Sequence, residues 1–481
     1  MAIQVNQTVE QKEPAPVCCL SRFTGKRVHF IGIGGCGMSG LAHVLADAGA
    51  IVTGSEPQPN APTLMLMKRG INISRSQEGE LLSPEVDLVV RTAAIPDDNT
   101  EFAYATRTLD IPHVKYSQLL GQVMEERFGV AIAGTHGKST TTAMTAYGLM
   151  KCGIDPSFLV GGVVPQLGGG SHSGKGHAFV VEACEYDRSF HNLHPTVALI
   201  TNIEADHLDC YKNIDDIVDS FEQFVGLVPQ TGLVIANGED PRVAGVVAHS
   251  AAPVQTVGFD GDYTWSIHAT GLKNGCCMGQ ISHKGEVVAK LELSVPGRHN
   301  LFDATMAVAA CVACGAAPSD AANAINTFTG VDRRMSVVGT YRGARFVDDY
   351  GHHPTEIRVT LEALCQRYTP VRLIVIFQPH QYSRTRNLLT DFATAFVKAD
   401  LVLIPDIYAS RDSDADKLAI HSRDLVNAVC ANGQDAQYVP DFDSIRALLK
   451  TTVGEGDLVL TIGAGNVFEI GRDLVASTTE Q

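Results

Sequence analysis

The sequence predicts an α/β protein of three domains, each built on a mainly parallel sheet. Three observations point there. β-prone apolar runs alternate with helix-compatible stretches along the chain, the signature of βαβ units. Two of those runs feed glycine-rich turns that open helices, at Gly32-Ile-Gly-Gly-Cys-Gly and Gly134-Thr-His-Gly-Lys-Ser. The 481 residues also exceed what one hydrophobic core supports, so about three domains follow from ordinary domain size.

Residues 1–21 hold Gln, Glu and Pro without an apolar stretch, which predicts a disordered tail and no export signal ahead of Cys18 and Cys19. A first Rossmann-like domain, over 22–127, opens with the strand beginning at Val28, continues through a helix from Met38 to Ala48, and adds strands at Ile51-Val-Thr-Gly-Ser and Asp87-Leu-Val-Val. A central domain, over 128–331, starts with the strand Val130 to Ala133 and holds further strands at Ala178 to Glu182, Val197 to Thr201 and Gly232 to Ala236. Its character changes between 254 and 295. There Thr256-Val, Tyr263-Thr-Trp-Ser-Ile and Glu286-Val-Val-Ala-Lys-Leu-Glu-Leu, parted by Gly and Asn, predict a small antiparallel insertion. A third, Rossmann-like domain, over 332–481, carries Arg345-Phe-Val-Asp-Asp, Val371 to Phe377, Leu401-Val-Leu-Ile-Pro and Leu458-Val-Leu-Thr-Ile-Gly. Its last strand ends in Gly463-Ala-Gly-Asn, a turn at a strand C-terminus, where open α/β sheets bind ligands.

Composition narrows the function. The net charge of −16 argues against nucleic acid as a bulk partner, because phosphate backbones demand basic surface. Hydrophobic residues at 45% and charged residues at 19% suit a soluble globular chain, and no apolar run nears the roughly 18 residues of a membrane span. The expected location is the cytoplasm. Twelve cysteines without regular spacing read as reduced thiols, and the lone Cys311-x-x-Cys314 has no second pair to complete a zinc site.

The strongest motif is Gly134-Thr135-His136-Gly137-Lys138-Ser139, between a strand and a helix. Backbone N–H groups and a helix N-terminus there cradle a polyphosphate, Lys138 neutralises charge, and Ser139 is free to hold Mg²⁺. Ile132 stands where the long Walker pattern has Gly, so the match is to the shorter form. Carboxylates follow two later strands, at Glu182-Ala-Cys-Glu185-Tyr-Asp187 and at Glu204-Ala-Asp206-His207-Leu-Asp209, where they suit Mg²⁺. The first loop, Gly32 to Gly37, matches G-x-G-x-x-G, with Glu56 placed as a ribose-binding acid; alone it does not choose between NAD and a nucleotide sugar. The third domain adds Asp332-Arg-Arg334, Asp348-Asp-Tyr-Gly-His-His353 and His380-Gln-Tyr-Ser-Arg384-Thr-Arg386, with Arg as the bidentate anion binder. The adjacent His352 and His353 have no further ligand at zinc spacing.

Together with Gly297-Arg-His-Asn, Thr201-Asn-Ile-Glu-Ala-Asp-His-Leu-Asp and Phe377-Gln-Pro-His, these segments resemble the Mur ligases, over about residues 26–475. Those are ATP-dependent amide-forming enzymes of peptidoglycan synthesis. The Gly-Met-Ser-Gly and Asp-Tyr-Gly-His-His-Pro segments are similar to the alanine-adding branch. The resemblance implies that Gly32, Gly34, Gly35, Cys36 and Gly37 bind the diphosphate of UDP-N-acetylmuramate. It implies that Gly134, Thr135, His136, Gly137, Lys138, Ser139 and Thr140 bind ATP, with Mg²⁺ on Ser139 and Glu182 and a second Mg²⁺ on His207. His299 and Asn300 would contact adenine, and Arg334 and Asp349 phosphate and ribose. Tyr350, His352 and Arg384 would line the alanine end of the site. The implied catalytic set is Lys138, Glu182, His207, His352 and Arg384, with His352 the candidate base for the amine.

The implied reaction makes an acyl phosphate from the muramoyl carboxylate and ATP, then joins it to L-alanine. The substrates are small molecules and the chain is a monomer or homodimer. Three departures from the family pattern stand out: Cys184 and Asp303 replace Asp and Asn, and Gln381 replaces an Arg. Alternatives are a murein tripeptide ligase on the same sugar nucleotide, an NAD oxidoreductase and a nucleotide-binding module without turnover.

Overall fold

The computed structural model describes residues 21–479. The tail expected over 1–21 lies outside these residues, apart from Ser21, which opens a 3-10 turn. The first sheet holds β1 (Arg27–Ile31), β2 (Ile51–Ser55), β3 (Asn72–Ser74), β4 (Leu88–Arg91) and β5 (His113–Lys115). All pair in parallel, in the order β3-β2-β1-β4-β5. The order reverses at β1, which delivers the first glycine loop to the switch point of the sheet.

The central sheet has ten strands: β6 (Phe128–Ala133), β7 (Ser157–Val164), β8 (Gly169–His172), β9 (Ala178–Glu182), β10 (Val197–Ile200), β11 (Leu233–Asn237), β12 (Val254–Phe259), β13 (Trp265–Lys273), β14 (Cys276–His283) and β15 (Glu286–Glu292). Strand β6 lies between β9 and β10, in parallel with both. Its phosphate loop therefore emerges between the carboxylate-bearing ends of those two strands.

The expected antiparallel insertion is present, with one strand set differently. Strand β14 runs antiparallel to both β13 and β15, and the three extend one edge of the central sheet. Strand β12 is parallel to both β11 and β13. A parallel pair ordinarily needs a long crossover. Here β13 starts beside the end of β12, with Val257 opposite Trp265, so a short loop suffices. The Tyr263 ring fills that loop against Gly238, Gly258 and Gly261, where a Cβ would stand within 2.6 Å of it.

The third sheet orders β16 (Ser336–Tyr341), β17 (Ala344–Asp349), β21 (Asp457–Ile462), β18 (Arg372–Phe377), β19 (Leu401–Ile404) and β20 (Ala436–Tyr438). Only β16 runs antiparallel, along one edge. The glycine turn after β21 is filled by the protein's own side chains. Arg333 donates to the Gly463 carbonyl at 2.7 Å, and Gln378 donates to Asn466 Oδ1 at 3.2 Å. It is not an open ligand crevice.

One buried apolar cluster runs without a break from the first sheet into the central one, joining Leu41, Leu45 and Leu120 to Leu159, Phe190 and Phe224. By contrast, the apolar clusters on the two faces of the third sheet stay within residues of that sheet and its helices. The phosphate-loop helix, Lys138–Lys151, packs on the helix Arg298–Ala313 through small residues. At Gly148 an added Cβ would come within 2.9 Å of Cys311 Sγ. Gly148→Ala is therefore expected to cost about 1–3 kcal/mol by overpacking, despite the helix propensity of Ala, read as a lower urea midpoint. No helix among the described residues is long and apolar enough to cross a membrane.

Candidate active site

The phosphate loop leaves β6 through Gly134 (φ 137°) and enters its helix through Gly137 (φ 81°), both left-handed conformations that favour glycine. The segment after β10 clamps it. Asn202 Oδ1 accepts from His136 N–H at 2.8 Å, Thr201 Oγ1 donates to the His136 carbonyl at 2.5 Å, and Glu204 N–H donates to Thr135 Oγ1 at 2.8 Å. Lys138 curls back over the loop, donating to the Thr135 carbonyl at 3.0 Å and pairing with Glu185 at 2.9 Å. Burial lowers its affinity for a proton, but the Glu185 carboxylate outweighs this and raises the ammonium pKa.

Glu182, at the end of β9, accepts from Gly161 N–H. Gly161 is the residue that permits this, because a Cβ there would stand 2.8 Å from the carboxylate. Across from Glu182 lie the first glycine loop and Tyr116. Burial, then the Glu182 carboxylate, raises both the Cys36 thiol and the Tyr116 phenol. Gly37 must lack a side chain because Tyr116 Oη would meet a Cβ at 2.6 Å. The helix Cys36–Asp47 docks on the central sheet at Gly40, against Leu159 and Ser171. Glu56 does not stand free for a ribose: its carboxylate accepts from Gly34 N–H at 3.1 Å.

The segment from Glu204 to Asp209 is engaged more fully than the sequence suggests. Asp206 is buried and takes both Nε and a terminal nitrogen of Arg384, at 2.9 and 2.8 Å. Burial alone would raise its pKa, but His207 and Arg384 hold it well below the usual carboxylate range. Arg384 sits on a short helix, Tyr382–Asn387, and also faces His380. Arg386, by contrast, pairs with Asp416 away from the site. Gln381 turns inward to the Ser410 carbonyl at 3.0 Å. His207 has φ 52°, and its Nδ1 is buried without a hydrogen-bond partner. An unsatisfied buried nitrogen is costly, and a bound group is the natural way to satisfy it. The Ser139 hydroxyl and the Glu182 carboxylate are oxygen donors whose chemistry fits a separate Mg²⁺.

The third domain meets this region through polar contacts. Glu356 lies 3.5 Å from His136 Nδ1, Thr355 Oγ1 donates to Glu204 at 2.7 Å, and His353 Nε2 reaches the Ala205 carbonyl at 3.4 Å. Burial disfavours a charged His136, but Glu204 and Glu356 prevail and lift its pKa to about 9. His352 goes the other way: burial, reinforced by Arg384 against the pull of Glu356, lowers it to about 3. A general base works best near the operating pH, so in this state His352 is a weak acceptor for an amine proton. Tyr350 lies beside it, its ring under the Arg333 and Arg334 guanidinium groups at 4.9 and 5.4 Å.

Between the two domains lies a cavity of about 440 Å³. It is lined by Gly137, Ser139 and Thr140 from the phosphate loop, His299, Asn300 and Asp303 from the second helix, and Arg334 and Asp349 from the third domain. Of the residues the resemblance implies for the nucleotide, Gly134, Thr135 and Lys138 do not line this space, and the others do. Asp349 accepts from Met335 and Gly351 N–H at 2.8 and 2.7 Å. Burial, opposed chiefly by Arg334, raises its pKa to about 6.

Asp303 resolves one departure. Its Oδ1 lies 2.9 Å from where a Gly137 Cβ would stand, and burial lifts its pKa to about 8 against the effects of Thr141 and Arg334. At neutral pH it holds a proton and so offers a donor and an acceptor, as an amide does. An acid raised in the folded state destabilises the fold as pH climbs from its unfolded value, and the loss is complete above its folded value. Asp303→Asn is therefore expected to remove a fall in stability between about pH 4 and 8, measured by urea unfolding across that range.

Family models match nearly the whole chain: "Mur ligase family, catalytic domain" over 27–128, "Mur ligase middle domain" over 132–311, and "Mur ligase, glutamate ligase domain" over 333–465. The chain belongs to the Mur ligase family. Among Mur ligases, it is 44% identical to the UDP-N-acetylmuramate–L-alanine ligase of Caldanaerobacter subterraneus subsp. tengcongensis, over 93% of this chain and 96% of that one. It is 40% identical to the enzyme of the same name from Acetivibrio thermocellus, over 93% and 95%. In structure it is similar to the UDP-N-acetylmuramate–alanine ligase of Thermotoga maritima, with TM-score 0.78, 27% identity, and 94% and 99% of the two chains covered. A murein peptide ligase from Psychrobacter arcticus 273-4 aligns with TM-score 0.71, 26% identity and coverage of 94% and 98%. The three-domain α/β fold is that of the Mur ligases.

Proposed function

We propose that this Mur ligase joins L-alanine to the carboxylate of UDP-N-acetylmuramate at the expense of ATP, in the cytoplasm, for peptidoglycan synthesis. One observation carries the reading. The phosphate loop, the carboxylates ending β9, the segment after β10 and the Arg384 region of the third domain converge on a single seam. That is what coupling phosphoryl transfer to amide formation requires. The curated relatives at 38–44% identity that carry the alanine ligase name favour alanine as the amine. In this reading, the units divide near 127 and 331 into sugar-nucleotide, ATP and amino-acid parts.

A carboxylate is a poor acylating agent, so its oxygen first takes the γ-phosphoryl group of ATP. The alanine amine then adds to the acyl phosphate, and phosphate leaves. Backbone N–H groups of Gly134 to Ser139 would hold the polyphosphate, and Lys138 would leave Glu185 for the phosphoryl oxygens. Ser139 and Glu182 would hold one Mg²⁺ and His207 a second, which would supply charge screening at those oxygens. Arg384 would orient a carboxylate, with Asp206 fixing its guanidinium plane. His299, Asn300 and Asp303 would contact the nucleotide, and Arg334 and Asp349 its phosphate and ribose. Gly32 to Gly37 would seat the sugar-nucleotide diphosphate, with Tyr350 and His352 near the amine.

The test is mass spectrometry of products from ATP, Mg²⁺, UDP-N-acetylmuramate and a mixture of amino acids, with murein tripeptide as competitor. An alanyl product and phosphate release only when sugar nucleotide and alanine are both present is the expected result. A tripeptide adduct in preference, or no adduct at all, would refute the assignment.

A further inference from the structure

His136, Glu204 and His353 come from three distant parts of the sequence, yet their donor atoms all lie within 4.8 Å of one another. His136 Nε2 is 3.4 Å from Glu204 Oε2, and His353 Nδ1 is 3.6 Å from the same oxygen. Zinc–ligand bonds of 2.0–2.2 Å set a tetrahedral edge of about 3.3–3.6 Å between donors, which the two spacings to Glu204 match, while the two imidazoles, whose donors lie within 4.8 Å, would close toward each other on loading. The remaining polar atoms are already arranged to support ligation. His136 Nδ1 faces Glu356 at 3.5 Å, His353 Nε2 faces the Ala205 carbonyl at 3.4 Å, and Thr355 Oγ1 donates to Glu204 at 2.7 Å. Metal-bound histidines characteristically give their second N–H to a carboxylate or carbonyl in this way. The side chains of His136 and His353 are 13% and 7% exposed, and His136 and Glu204 also line the cavity, which leaves an open fourth position.

We infer that His136, Glu204 and His353 form a binding site for a borderline divalent cation of the zinc class, bridging the phosphate loop and the third domain. Two imidazoles and one carboxylate select zinc, cobalt or nickel over Mg²⁺, which prefers oxygen and its own waters. The site is separate from Ser139 and Glu182, and from His207, the residues proposed for the two Mg²⁺ ions. Loading exchanges the Thr355 N–H to His353 Nδ1 contact, 3.2 Å long, for a metal bond. The cation then ties Pro354–Tyr368, the helix that His353 caps, to the central domain.

The test is titration of the whole nucleotide-free chain with Co²⁺, followed by visible absorption. One saturating ion per chain is expected, with d–d bands and no thiolate charge-transfer band. His353→Gln and Glu204→Gln are each expected to lose about 100-fold or more in affinity, since even supporting residues typically contribute 10–100-fold. The exposed His268→Gln should bind as the parent does. In the parent chain, Zn²⁺ should also slow modification of His136 and His353 by diethyl pyrocarbonate, a readout independent of any variant's folding. Unchanged affinity in folded His353→Gln, a cobalt–thiolate spectrum, no saturable binding, or no protection of those two histidines would each overturn the site.

Discussion

Lys138→Ala is expected to lower amide-product formation by about 10²–10³-fold, the scale of losing one preorganised charge at a developing oxyanion. The structure gives the substitution two consequences that can be separated. Lys138 neutralises phosphate in the proposed reaction, and in the nucleotide-free chain it neutralises Glu185, whose side chain is only 4% exposed. Removing it leaves a buried carboxylate with the His207 imidazole beside it, at 3.6 Å. Adding Glu185→Gln to Lys138→Ala should therefore recover stability without recovering turnover. Measurement of product by mass spectrometry and of the urea midpoint in both variants checks this. Turnover near the parent level in Lys138→Ala would remove Lys138 from the chemistry.

Asp206→Ala carries the largest expected loss of stability. Arg384 and Asp206 are 6% and 7% exposed at the side chain, and the pair spans the central and third domains. Taking away one member of such a pair typically costs about 3–5 kcal/mol, because the other charge is left buried. Calorimetry and urea unfolding should show it, with domain-specific probes reporting the third domain loosening first. The same pair predicts the direction of acid sensitivity. Asp206 has a depressed folded pKa, so its stabilisation is present above the unfolded value near 3.9 and is lost as pH falls toward the lower folded value. Asp206→Asn should flatten that acid limb.

What was legible in the sequence was local. The phosphate loop could be read because strand, glycines, Lys138 and helix are contiguous, and the strands at Ala178, Val197 and Leu458 because they are short apolar runs with clear ends. Strands β7 and β14 are not legible in the sequence: Gly161 and Gly162 interrupt one, while Cys276, Cys277, Met278 and Gly279 give the other no β-prone signal. The parallel setting of β12 escaped because pairing direction depends on stagger, which no local pattern records. The site divided in the same way. Residue types at strand ends were visible, but their partners were not. That Asp206 is spent on Arg384, that Glu56 covers its own glycine loop, and that His353 finds His136 and Glu204 all depend on tertiary proximity. The adjacent histidines have no further ligand at zinc spacing in the sequence, and the groups that face His353, His136 and Glu204, lie far from it along the chain.

The two joints between the sheets differ in kind. The first is sealed by continuous hydrocarbon, the second by imidazoles, carboxylates and guanidinium groups. Two thirds of the chain is therefore expected to behave as a stiff pedestal, with the last third as a hinged jaw. Salt and proton concentration should set how tightly the jaw rests, while leaving the pedestal unmoved. The sugar nucleotide would then meet a ready-made seat, whereas ATP would meet a chamber whose far wall comes and goes.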